Sequence, residues 1–147
     1  MAEYASKLNE FYFLLGESLR YCQQVEHDVQ MILALMQDGD KHDNLSSIKS
    51  ERMTLGGTIH ALGEIDASRE KPFFSPRDYK VLYSMTGERN HFVHQSFNEF
   101  LYRQGEAGEV AFNVEFERLK KFHSNMKLVS SDALKARLEA ARRVLKA

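Results

Sequence analysis

The segment Glu88-Arg89-Asn90-His91-Phe92-Val93-His94 gathers the side chains best suited to chemistry. An imidazole exchanges protons near neutral pH. An arginine offers a permanently charged planar fork that matches two phosphate oxygens. At about 100° per residue, Arg89 falls on one helical stripe with Leu82, Met85, Phe92, Val93 and Ser96. A cation on an apolar stripe needs an acid, a wet cleft or a ligand, because unpaired burial of charge is costly. Glu88 or Glu26 could supply the acid. His94 lies five residues on, about 140° around the helix from Arg89. Asn90 precedes it at i,i+4, a spacing that lets the amide orient the imidazole. His91 is expected on the opposite side, in solvent.

Arginine and histidine together suit cleavage of RNA, whose own 2′-hydroxyl can attack the adjacent phosphate. That reaction needs a proton acceptor, a proton donor and stabilisation of charge growing on the phosphoryl oxygens. Rival chemistries are less well served. Glu88-x-x-His91 has the spacing of a di-iron carboxylate bundle, but the required second Glu-x-x-His does not occur. His60, His91, His94 and His123 lack an HExxH pattern. There is no glycine-rich phosphate loop and no Gly-x-Ser-x-Gly elbow. Cys22, the one cysteine, lies on an apolar stripe and reads as core. No metal and no cofactor is implied.

These residues must be positioned by helices. Of 147 residues only two are proline and eight glycine, too few for an all-β fold. A hydrophobic content of 43% rules out a disordered chain. Apolar residues recur at three- and four-residue spacing from Glu3 to Gln37, which predicts one helix about 50 Å long. Asp38-Gly39-Asp40 should end it. A second helix is expected from caps among residues 43–47 to Asp66, with Gly56-Gly57 inside it and excused by close packing. Ser75-Pro76-Arg77-Asp78 is a capping box opening a third, through Phe97 or Phe100. A fourth should cover residues 109–127, with Val110, Val114, Leu119 and Phe122 inward, and Ser130-Ser131-Asp132 should cap a last one. The expected fold is all-α, an antiparallel up-and-down bundle of four to five helices in one domain, 1–147.

Charge is uneven along this frame. Residues 117–147 carry nine basic and three acidic side chains, while the whole chain is at −1. Such a face attracts phosphates, or serves only solubility. The first residues lack the basic and apolar regions of a signal peptide, and the longest apolar runs cannot span a bilayer, so the cytoplasm is the expected location. A single cysteine agrees with a reducing compartment.

Arg89-Asn90-x-x-x-His94, late in a helical bundle with a long first helix, resembles the HEPN family (higher eukaryotes and prokaryotes nucleotide-binding domains). The family signature is an Arg and a His separated by four to six residues, usually with a polar residue after the Arg. The resemblance implies a homodimer in which the two signature segments, here on the third helix, meet across a two-fold axis. It implies a metal-independent endoribonuclease, often a toxin, with Arg89, Asn90 and His94 as site residues and RNA as substrate. It also leaves room for an antitoxin or nucleotidyltransferase partner. One toxin subgroup carries a modifiable Tyr two residues after the His, where this chain has Ser96. The alternative function is a non-catalytic HEPN-like module for dimerisation or for binding RNA or a partner.

Overall fold

A computed structural model describes residues 2–50 and 54–146. Six helices lie among them: α1 (Ala2–Met36), α2 (Lys41–Ser50), α3 (Leu55–Ala67), α4 (Pro76–His94), α5 (Ser96–Phe100) and α6 (Gly105–Lys146). Among these residues no strand occurs and no helix is long and apolar enough to cross a membrane.

Residue contacts fix the directions of the long helices. Gly63 and Asp66 of α3 meet Tyr83 and Tyr79 of α4, so those helices are antiparallel. Glu88 and His91 of α4 meet Arg118 and Glu115 of α6, again antiparallel. Tyr4, Glu17 and Asp28 of α1 meet Phe112, His123 and Arg137 of α6, so these two run parallel. α1 and α3 are therefore parallel too, with the ten-residue α2 between them. The main core fills the space between α1, α3, α4 and α6. Val25, Val29 and Ile32 lie there with Ile59, Leu62, Leu82, Met85, Phe92, Leu119 and Met126, all without solvent exposure.

Local sequence explains most of the boundaries. Ser75 accepts from Asp78 N at 3.1 Å while the Asp78 carboxylate takes the Ser75 N–H, so the expected capping box forms with Pro76 in the first turn. The segment expected as a second helix is instead two. Asp40, and not a residue of 43–47, caps α2 by accepting from the backbone of His42 and Asp43 at 2.8 and 3.1 Å. Those amides hold its carboxyl below the usual range. Thr54 caps α3 through Gly57 N at 3.0 Å, so Gly56 and Gly57 occupy a first turn and not a helix interior. A Cβ at Gly56 would meet nothing within 4 Å, so close packing is not its reason. A first turn with a side-chain cap tolerates glycine better than an interior does.

Asp66 organises the connection from α3 to α4. Its buried carboxylate accepts from Phe73 N at 2.7 Å, Phe74 N at 3.1 Å and Tyr79 Oη at 2.7 Å. Burial and this neighbouring acid push the Tyr79 hydroxyl above its ordinary pKa.

The largest correction concerns α6. The expected break at Ser130-Ser131-Asp132 is absent, and the helix runs 42 residues, about 63 Å. Ser130 is buried and its Oγ donates to Lys127 O at 2.9 Å within the helix. The buried stripe Met126, Val129, Ala133, Ala136, Ala140 continues through the serines, so packing overrides their capping tendency. Val110 and Val114, expected inward, are 57% and 61% exposed, and Phe112 and Phe116 face the core instead.

Candidate functional site

α4 carries the candidate residues and is held by α6, α3 and α1. Leu82, Met85 and Phe92 fill the core between them. The packing face named from periodicity is thus covered within one chain. Val93, expected on it, is 49% exposed.

Arg89 projects along the α1 flank. Its Nη1 stands 3.6 Å from Glu26 Oε2, an ion pair beyond hydrogen-bond length, and its side chain is 30% exposed. Among the described residues the guanidinium has no hydrogen-bonding partner. Of the two acids expected for it, Glu26 is the neighbour. Glu88 turns to the other flank, where Arg118 Nε and Nη2 grip its carboxylate at 3.1 and 2.7 Å. That grip raises the pKa of Arg118 further.

Asn90 and His94 are both exposed and share one side of α4 with Gly87. No hydrogen bond joins the amide to the imidazole, so the expected orienting contact is not formed. The helix ends directly after His94, where Gln95 adopts φ −125° and ψ −34° before α5 begins. The structure therefore gathers Asn90 and His94 on a solvent face and leaves Arg89 at its edge.

His91 is where sequence reasoning failed most clearly. Spacing places it in solvent; instead its side chain is 11% exposed and Nε2 lies 2.7 Å from Glu115 Oε2. Ser96 Oγ donates to the same oxygen at 2.7 Å. α6 passes over that flank of α4, so a face opposite one core stripe is still interior. The signal was Glu115 itself, an acid between Phe112 and Phe116 on the buried stripe of α6. Ser96 has no exposure, so its hydroxyl is out of reach of a modifying enzyme.

Glu17 Oε1 lies 2.6 Å from His123 Nε2, and that hydrogen bond holds the Glu17 carboxyl below its usual range. Burial pushes the Cys22 thiol up to about 11, which suits a core residue and not a nucleophile. His60 pairs with Glu64 on α3. Among the described residues no three of His, Cys, Asp and Glu stand close enough to hold a metal ion.

Comparison with protein-family models, with curated proteins and with solved structures finds no match for this chain.

Proposed function

We propose that this chain is a metal-independent endoribonuclease of HEPN type, acting in the cytoplasm, whose site forms where the α4 helices of two copies meet. The reading is carried by one observation. Arg89 keeps a partly exposed guanidinium without a hydrogen bond to any described residue, beside an open helix face that bears Asn90 and His94. Tyr83 and Val93, 53% and 49% exposed, add apolar surface around that face, and a Cβ at Gly87 would meet nothing within 4 Å. A glycine between exposed apolar groups suits close approach of a second helix.

Arg89 and His94 diverge by about 140° on one helix, so a single copy does not direct both at one phosphate. Two copies supply two of each. One histidine accepts the proton of the attacking 2′-hydroxyl and the other donates to the leaving 5′-oxygen, while arginine neutralises the phosphoryl oxygens. Asn90 holds substrate or orients His94 once the face is covered.

The Arg89–Glu26 pair favours a second reading, a non-catalytic HEPN-like module in which Arg89 ties α4 to α1. Cleavage assays on folded variants separate the two. Arg89→Ala and His94→Ala should each lower the rate at least a hundredfold, within the range of general acid–base and charge-stabilising groups. Asn90→Ala should lower it less. His94→Ala cutting RNA at the wild-type rate would remove the ribonuclease reading.

A further inference from the structure

We infer that the groove between α4 and α6 binds the phosphodiester backbone of a nucleic-acid strand. The groove encloses about 540 Å³, and Arg77, Lys80, Arg118 and Lys121 line it with Glu88 as their only acidic companion. Glu88 is already spoken for: both its oxygens are held by Arg118. Arg77, Lys80 and Lys121 are exposed and form no ion pair with any described residue. Three uncompensated cations thus face one groove of a chain whose net charge is −1. Asp78 and Asp132 belong to the adjoining hollow, which Arg77 also borders.

The shape selects the ligand. From Arg77 to Glu88 the groove follows α4 for about 16 Å at 1.5 Å per residue, longer than one small anion needs. A strand of regularly spaced phosphates can touch all of the cations at once, and Asn125 adds a neutral donor on the same wall. No exposed aromatic ring lines it, since Phe122 is 4% exposed. Without a stacking platform the groove grips backbone and not bases. This surface lies on the α6 flank of α4, away from the face bearing Asn90 and His94. As a path for substrate RNA it rests on the ribonuclease proposal; as a polyanion groove it rests on its own charges.

Fluorescence anisotropy with a labelled 20-nucleotide RNA, and the same sequence as DNA, tests this across 50–200 mM KCl. The variant Arg77→Gln/Lys80→Gln/Lys121→Gln is compared with a control that removes equal charge elsewhere, Lys41→Gln/Lys49→Gln/Lys127→Gln. Circular dichroism confirms that each folds. Loss of three phosphate contacts at roughly 0.7 each should lower the log–log salt slope by about 2. The control should bind as wild type does, and RNA and DNA should bind within about threefold of each other. Undetectable binding by wild type, equal loss in the control, or a preference above tenfold for RNA would overturn the inference. So would displacement by poly-glutamate as efficient as by unlabelled RNA, which would assign the groove to an acidic protein. Wild type that binds but never cuts refutes the ribonuclease reading alone and leaves the groove standing.

Discussion

Removing His91 should destabilise the fold, because it strips a partner from a buried carboxylate. Glu115 is 6% exposed in its side chain and a single oxygen, Oε2, receives both His91 Nε2 and Ser96 Oγ at 2.7 Å. Hydrogen bonds to a charged acceptor are worth about 1.5–3 kcal/mol each, against about 0.5–1.5 kcal/mol for neutral ones. Glu115→Gln keeps the shape and loses the charge, so about 1 kcal/mol per bond, or about 2 kcal/mol in all, should disappear. His91→Ala leaves the carboxylate with Ser96 only. A hydrogen bond lost by a buried charged acceptor costs about 1.5–3 kcal/mol. A His91/Glu115 double-mutant cycle should then return a coupling of about 1.5–3 kcal/mol. Urea denaturation followed by circular dichroism measures each value, provided the slope stays constant across the set. If His91→Ala and Glu115→Gln both fall within about 0.5 kcal/mol of wild type, the level of an ordinary surface change, the pair does not hold α4 to α6.

Other consequences are as specific. Asp66→Ala should cost about 3–5 kcal/mol, since it orphans two loop amides and the Tyr79 hydroxyl, while Tyr79→Phe should cost only about 1 kcal/mol; urea melts measure both. Glu17 has a lowered pKa in the fold, so its contribution is present above the unfolded value of 4.5 and is lost as pH falls through the folded one. Wild type should therefore lose more stability than Glu17→Gln on acidification below pH 4.5 in pH-dependent melts. Cys22 should resist a thiol reagent at pH 8 until urea unfolds the chain, because it is 1% exposed and its thiol stays protonated up to about 11; rapid labelling of the native protein would contradict its placement.

The helical frame was readable where local chemistry and periodicity agreed. Ser75-Pro76-Arg77-Asp78 states a capping box in four letters, and α1 shows its apolar rhythm from end to end. The reading broke where tertiary contacts decide. Ser130-Ser131-Asp132 looks like a cap until α1 covers it: Gln24 donates to Ser130 O at 3.0 Å, and Asp28 draws Arg137 to 2.8 Å one turn further on. Val110 and Val114 repeat at helical spacing, yet Phe112 and Phe116 offer a heavier stripe on the other side, and the larger rings take the core. Arg89, Asn90 and His94 could be singled out by type and spacing. Which flank each occupies could not, because a helix packed by α1, α3 and α6 has more than one interior face, and periodicity assigns only one. That is why spacing alone assigns His91 to solvent and gives Glu115 no role.

The central claim is tested most directly by incubating the purified protein with total RNA in excess EDTA and determining the ends of any fragments. Transesterification by Arg89 and His94 predicts cleavage that chelator does not suppress, leaving 2′,3′-cyclic phosphates and 5′-hydroxyls, and lost in folded His94→Ala. Intact RNA, or fragments that form only when metal is restored and carry 5′-phosphates, would contradict it.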